Sequence, residues 1–361
     1  MIVSRGATSA RSGLATNGRN LDEQPLPFGS RLSFRPVPSN SGFMAWVTCS
    51  GARLMRAHFR LATSGFSRWP ARARESVMSK VIYEKDGRIG RITLNRPEVM
   101  NAIDDDVPVE LADCVARANA DARVHVIVLS GAGEAFCAGY DLTYYAQGSG
   151  GTGVTQEMPW DPMKDYAFMM RNTELFMSLW RSYRPVICKV HGYAVAGGSD
   201  IALCADIIVM STDARIGYMP TRVWGCPTTA MWVYRLGPER AKRMLFIGDK
   251  ITGSEAENLG LVLKAVPPEA LDAEVEALAQ RMATVPVNQL MMQKLVVNQA
   301  IEAMGLKTTQ LIATVFDGIT RHSPDGVNFK RRAETVGWKQ AVRDRDNGTW
   351  DWTENRPINP R

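Results

Sequence analysis

Between residues 81 and 211, short apolar segments of strand length alternate with segments of helical periodicity. VIYEKDGRIGRITL predicts two strands around a turn at residues 85–88, and HVIVLSG, PVICKVHG and ADIIVMS predict further buried strands. DDDVPVELADCVARAN places apolar residues at 107, 111, 115 and 118, which is helical spacing. This alternation predicts an α/β fold with crossover connections between its strands.

The remaining helical patterns divide the chain into two parts. DYAFMMRNTELFMSLWRSY predicts a helix after the Gly-rich loop at 147–153, and residues 198–205 predict another after a glycine pair. Beyond about residue 267 the strand signals stop, and EALDAEVEALAQRMA and NQLMMQKLVVNQAIEAM predict helices. We therefore expect an α/β core over 78–266 and a helical C-terminal region over 267–361.

Residues 1–77 differ in composition from the rest of the chain. They hold 11 arginines, no lysine and 3 acidic residues, whereas the rest holds 32 basic and 34 acidic residues. Three interpretations fit this segment: an organelle-targeting peptide, a disordered arm, or a start codon assigned too early. We favour the last, because Met78 directly precedes the first strand pattern. The nearly neutral remainder disfavours nucleic-acid binding.

The cysteines and histidines restrict the chemistry and the location of the protein. Six scattered cysteines without a CxxC motif are typical of reduced thiols in a cytoplasmic protein rather than of a disulfide framework. The four histidines lie too far apart along the chain to indicate a metal site. No apolar run reaches the roughly 18 residues of a membrane span. We expect a cytoplasmic protein with no metal.

The segment YAVAGGSDIALCAD at 193–206 is the main candidate for chemistry. Gly197 and Gly198 precede Ser199, Asp200 and an apolar helical segment. In a structural interpretation, the glycines form a tight turn and a polar side chain caps the helix. In a chemical interpretation, free amides at the helix start bind an oxyanion and the carboxylate moves a proton. The residues alone leave both interpretations open.

Four motifs, in the expected order and spacing, resemble the enoyl-CoA hydratase/isomerase (crotonase) superfamily. They are ITLNRPEVMNAI (92–103), GEAFCAGYDL (133–142), RPVICKVHGYAVAGGSDIALCADIIV (184–209) and ITGSEAENLGLV (251–262). The resemblance covers about residues 80–340. It implies a spiral of ββα units with a C-terminal helical region that forms trimers, often as dimers of trimers. It also implies a lyase or isomerase of fatty-acid metabolism that stabilises the enolate of a CoA thioester.

The resemblance also implies a set of site residues by position. The amides of Tyr140 and Gly197 would bind the oxyanion, and Asp200 would be the catalytic acid or base. The residues implied in CoA binding are Arg96, Val99, Met100, Ala138 and Phe329. Arg96 can equally brace the loop beside Pro97, and the match at Phe329 can be coincidental. Coenzyme A belongs to the substrate, so the resemblance implies no separate cofactor.

The chain departs from the family pattern at the second catalytic acid. Hydratases of this family carry two glutamates; here Asp200 occupies the first position and Pro220 the second. No acid occurs from 214 to 238. We expect hydration of a 2-trans-enoyl-CoA. The alternatives are double-bond isomerisation by a single Asp, thioester hydrolysis or decarboxylation, and CoA-thioester binding without catalysis.

Overall fold

The computed structural model of the chain describes residues 79–147 and 156–358. The arginine-rich segment 1–77 and all but the first residue of the Gly-rich loop at 147–153 lie outside these ranges. The three interpretations of the N-terminal segment therefore stay predictions.

The strands of the described residues form three sheets. They are β1 (Val81–Asp86), β2 (Ile89–Leu94), β3 (Val126–Gly131), β4 (Val186–Val190), β5 (Tyr193–Val195), β6 (Ile207–Ser211), β7 (Arg215–Gly217), β8 (Lys250–Thr252), β9 (Lys264–Val266), β10 (Trp350–Asp351) and β11 (Arg356–Pro357). The main sheet has the order β1-β2-β3-β4-β6-β9, and its pairs are parallel except for the β1–β2 hairpin. A smaller sheet has the order β5-β7-β8, and β10 pairs with β11.

The helices connect the strands and then continue to the C-terminal end. They are α1 (Val107–Ala120), α2 (Pro162–Phe176), α3 (Gly197–Leu203), α4 (Met231–Leu236), α5 (Pro238–Ile247), α6 (Gly253–Leu259), α7 (Leu271–Ala283), α8 (Val287–Ala303), α9 (Leu306–His322), α10 (Pro324–Val336) and α11 (Trp338–Asn347). This arrangement confirms the predicted α/β class with a helical C-terminal region.

Two details differ from the sequence-based expectation. The helical pattern extended to residue 183, but α2 ends at Phe176, where the amides of Ser178 and Leu179 bond carbonyls three residues back and tighten the chain into turns. The β10–β11 pair lies beyond residue 267, where no strand was expected. Strands of two residues are too short to leave an alternation pattern in the sequence.

The main sheet is buried on both faces, which explains its apolar strands. Val126 and Val128 of β3 belong to a core cluster with residues of α7, whereas Ile127 and Leu129 belong to the larger central core. Crossover connections in such sheets bring functional loops to the carboxyl ends of the strands. Here the segments after β3 and β4 carry residues 132–142 and 191–200.

No helix within 79–147 and 156–358 is long and apolar enough to cross a membrane. In the same residues, five cysteines are present as free thiols, and four of these are buried.

Candidate active site

A cavity of about 840 Å³ lies where the loops after β3 and β4 meet the C-terminal helices. Six residues that the sequence predicted for the site line it: Val99, Met100, Ala138, Tyr140, Gly197 and Asp200. Pro220, at the position of the missing second acid, lines it as well. Arg96 and Phe329 are not among the lining residues.

The loop after β3 is fixed by backbone hydrogen bonds on both sides of Tyr140. The Cys137 amide donates to the Tyr193 carbonyl at 2.8 Å, the Ile103 amide to the Gly139 carbonyl at 2.8 Å, and the Asp141 amide to the Ile103 carbonyl at 2.9 Å. The Tyr140 amide itself donates no hydrogen bond within the part of the chain that the structure describes. It is therefore available to an acceptor in the cavity.

The second free amide lies at the start of α3. Ala196 has φ 51° and ψ −127°, a conformation that L-residues rarely adopt, and its amide donates to the Gly217 carbonyl at 2.9 Å. The Gly197 amide that follows donates no hydrogen bond within the described ranges. A Cβ on Gly139 would lie 3.3 Å from the Gly197 nitrogen, so the two loops are in contact. Two preorganised N–H groups of this kind can bind an oxyanion.

The carboxyl group of Asp200 is buried one turn further along α3. Its Oδ1 accepts a hydrogen bond from Thr229 Oγ1 at 2.6 Å, and only 3% of the residue is exposed. Burial raises the pKa of Asp200 from 3.8 to about 8; the Thr229 hydrogen bond opposes this shift and the charge of Asp317 adds to it. Asp200 is thus mostly protonated at neutral pH and can donate a proton.

Besides Asp200, the cavity is lined by Glu98, Asp141, Asp317 and Asp346, and the sequence analysis did not single out Asp317. Asp317 on α9 lines it, forms an ion pair with Arg321, and accepts a hydrogen bond from the Cys226 amide at 2.8 Å. The available signal was an Asp and an Arg four residues apart on an amphipathic helix. Solvated helix faces carry the same pattern, so the pattern did not indicate a site.

Arg96 lies beside the cavity, where its guanidinium is occupied by neighbouring acceptors. It donates to the Ala102 carbonyl, and its nitrogens lie 3.4 Å from Asp104 Oδ2 and 3.2 Å from Asp141 Oδ2. These contacts match the loop-bracing interpretation rather than a free phosphate ligand. Asp141 also accepts from the Thr143 amide at 3.2 Å, so the cluster orders this loop.

Phe329 supports the cavity wall from behind instead of lining it. The residue is fully buried, and its ring centroid lies 5.2 Å from that of Trp224 and 5.3 Å from that of Trp352. Trp224 itself lines the cavity. Phe329 therefore belongs to core packing in this structure.

Besides Arg321, three basic residues that the sequence analysis did not single out border the cavity. They are Lys250, Lys339 and Arg345. Lys250 Nζ lies 4.0 Å from Asp346 Oδ2, while Arg345 Nε donates to Asp346 Oδ1 at 2.8 Å. Lys339 is exposed. The two lysines can attract an anionic group to the mouth of the cavity.

Neither cysteine near the site is prepared for nucleophilic attack. Burial raises the pKa of the Cys137 thiol to about 12 and that of Cys226 to about 12, so both remain protonated at neutral pH. Within the described residues, no group of three or more His, Cys, Asp or Glu side chains is arranged to hold a metal ion. The chemistry available here is proton transfer beside an oxyanion site.

Comparison with known proteins gives a consistent result. A family model for enoyl-CoA hydratase/isomerase matches residues 84–333. A Mycobacterium tuberculosis protein named "Putative enoyl-CoA hydratase" is 30% identical over 301 residues, covering 76% of this chain and 88% of that protein. The crotonyl-CoA hydratase of Syntrophomonas wolfei is 28% identical over 226 residues, covering 62% and 82%. A crystal structure of enoyl-CoA hydratase from Mycobacterium smegmatis is 48% identical with a TM-score of 0.71, covering 75% and 94%.

Proposed function

The chain belongs to the enoyl-CoA hydratase/isomerase family, and we propose that it adds water to a 2-trans-enoyl-CoA to give a 3-hydroxyacyl-CoA. One observation carries this proposal: the free amides of Tyr140 and Gly197 and the buried carboxyl group of Asp200 line one cavity. Proteins named as hydratases among its relatives support the reaction type.

The geometry assigns a role to each of these groups. The thioester carbonyl oxygen accepts hydrogen bonds from the Tyr140 and Gly197 amides, which stabilise the negative charge that develops when water adds at C3. Each such donor is typically worth about 3 kcal/mol of barrier. Asp200 donates its proton to C2, which completes the addition across the double bond.

The CoA part of the substrate is proposed to bind along the loop 98–102 and Ala138. Val99 and Met100 line the cavity and are 36% and 43% exposed, which leaves their side chains free to contact the bound thioester. Lys250 and Lys339 at the cavity mouth offer positive charge to the phosphates of CoA.

Self-association through the C-terminal helices is part of the proposal. Val296 and Val297 on α8 and Phe316 on α9 are 69%, 62% and 54% exposed. Apolar surface of this kind is typical of a protein interface. We expect a trimer or a dimer of trimers, measured by light scattering of the purified chain. The free thiols support the proposed cytoplasmic location.

The reaction is tested by offering the purified full chain short- and long-chain 2-trans-enoyl-CoA and 3-enoyl-CoA. Formation of 3-hydroxyacyl-CoA, identified by chromatography, is the expected result. A shifted double bond without hydration would instead indicate an isomerase. Free CoA would indicate a thioester hydrolase, and binding without any product would indicate a CoA-thioester binding protein.

A further inference from the structure

The inner face of α9 brings a charged cluster to the cavity wall. Gln310, Thr314, Asp317 and Arg321 are spaced at three and four residues and are all buried, so they form one face of the helix. Gln310 Nε2 donates to the Thr229 carbonyl at 3.1 Å. Thr229 is the hydrogen-bond partner of Asp200, so α9 is connected to the site already described.

This cluster contains two carboxylates and one cation. The Arg321 guanidinium pairs with Asp317 through one terminal nitrogen and with Asp165 Oδ1 through the other, at 2.6 Å. The three side chains are at most 3% exposed. A side chain at position 318 would overlap the Asp165 carboxylate, which explains Gly318. The cluster therefore places two carboxyl groups against one guanidinium in the interior.

The two carboxylates of the cluster differ in their relation to the cavity. Asp317 and Arg321 line it, whereas Asp165 is not among its lining residues. Asp317 Oδ1 is held by the Cys226 amide at 2.8 Å. A Cβ on Gly225 would lie 3.3 Å from the hydroxyl of Tyr218 and 3.6 Å from Asp317 Oδ1. Tyr218 lines the cavity too, so the carboxylate lies close to space that a substrate can occupy.

Asp200 and Asp317 have different side-chain partners. Asp200 has no cationic partner within the described residues, and burial together with the charge of Asp317 favours its neutral form. Asp317 instead pairs with the guanidinium of Arg321. An acid and a base in one cavity, separated by their environments, are the two groups that the addition of water requires.

We propose that Asp317 is the second catalytic carboxylate of this enzyme, which accepts a proton from the attacking water while Asp200 donates one. It replaces the acid that the sequence lacks at Pro220. The proposal rests on the proposed hydratase function.

The proton and electron balance of the step is complete. The water oxygen forms a bond to C3 and loses one proton to the Asp317 carboxylate. The π electrons of the double bond move into the thioester, whose oxygen is held by the Tyr140 and Gly197 amides. The enolate then collapses, and C2 takes the proton of Asp200. Asp317 returns its proton to solvent and Asp200 regains one, so no other reactant is consumed.

The experiment compares Asp317→Asn with Asp165→Asn in the full chain. Both substitutions remove one carboxylate from the same guanidinium, but only the first changes the cavity wall. We expect kcat for hydration to fall by about a hundredfold or more in Asp317→Asn, with KM within about threefold of wild type. We expect Asp165→Asn to lose less than about tenfold in kcat. Thermal midpoints of both variants report the structural effect of the lost ion pair.

Each outcome decides the proposal. Equal losses of kcat and of thermal midpoint in the two variants would show that Asp317 is a structural ion-pair partner. Retention of kcat within about threefold in Asp317→Asn would exclude it as a base while leaving the hydratase function intact. A wild-type protein that makes no 3-hydroxyacyl-CoA would overturn both proposals.

A second variant keeps the test decisive if Asp317→Asn does not fold. Asp317→Glu retains the charge beside Arg321 but displaces the carboxylate by one methylene. We expect it to fold and to lose at least about tenfold in kcat, because general-base catalysis depends on position. Wild-type kcat in this variant would contradict the proposal.

Discussion

Asp200 and Asp317 are buried to nearly the same degree, at 3% and 2% exposed, but their partners differ. Asp200 accepts a hydrogen bond from the neutral Thr229, whereas Asp317 faces the Arg321 guanidinium. A nearby cation favours the ionised form of a buried carboxyl group more strongly than a neutral hydroxyl does. The comparison shows that two equally buried acids of one cavity have different electrostatic surroundings, because their partners differ.

The largest expected effect comes from Asp200→Asn. The amide cannot donate a proton to C2, so kcat for hydration should fall by about a hundredfold or more, within the usual range for a general acid. The loss is measured as the rate at which the absorbance of the conjugated thioester disappears. A variant with wild-type kcat would exclude Asp200 as the catalytic acid.

The stability of the same variant provides its control. Because the folded-state pKa of Asp200 is raised from 3.8 to about 8, its contribution to the free energy of unfolding is greatest below pH 4. This contribution falls by about 1.4 kcal/mol per pH unit as pH rises toward 8. Asp200→Asn removes that decline. We therefore expect the thermal midpoint of Asp200→Asn to exceed that of wild type at pH 8 and to approach the wild-type value near pH 4. A variant that is at least as stable as wild type cannot owe its lost activity to unfolding.

The pH dependence of the wild-type rate separates an acid role of Asp200 from a base role. If Asp200 donates a proton, kcat should fall about tenfold per pH unit above about pH 8. Burial also raises the pKa values of Tyr140, Tyr218 and Cys226 near Asp200, that of Cys226 to about 12, so Asp200 loses its proton before them. A rate that rises through pH 8 would identify Asp200 as a base. Asp200 and Asp317 would then no longer have different catalytic roles.

A smaller effect is expected from Pro220→Glu, which restores an acid at the position that the family pattern uses. If Asp317 already supplies the second carboxylate, the new side chain should change kcat by less than about tenfold. Pro220→Gln is the matched control, with the same shape and no charge. A gain of more than tenfold with Glu but not with Gln would mean that the chain lacks a second acid.

The smallest effect is expected from Thr229→Val, which removes the hydrogen bond to Asp200 while keeping the side-chain volume. That bond favours the ionised carboxylate, so its loss should raise the pKa of Asp200 further. The pH above which kcat declines should therefore increase by up to about one pH unit. A decline of kcat that begins at a lower pH than in wild type would indicate that Thr229 stabilises the protonated form of Asp200.

Much of the molecule follows from local sequence patterns. The β1–β2 hairpin, α1 and the strands β3, β4 and β6 were predicted because their side-chain periods of two or 3.6 residues are properties of contiguous segments. The loops of Tyr140 and Gly197 and the placement of Asp200 lie within two short motifs. The resemblance of these motifs to the hydratase/isomerase family predicted that the three residues share one cavity, and all three line it.

The tertiary structure alone decided which charges meet. Phe329 became part of the core behind the cavity, Arg96 paired with two aspartates, and Asp317 reached the site from a helix far along the chain. A sequence period states which face of α9 is buried but not what that face contacts. The ion pair between Arg321 and Asp165 depends on how α2 and α9 pack. The energy of a buried charge depends on its distance from other charges, and the sequence alone does not give these distances.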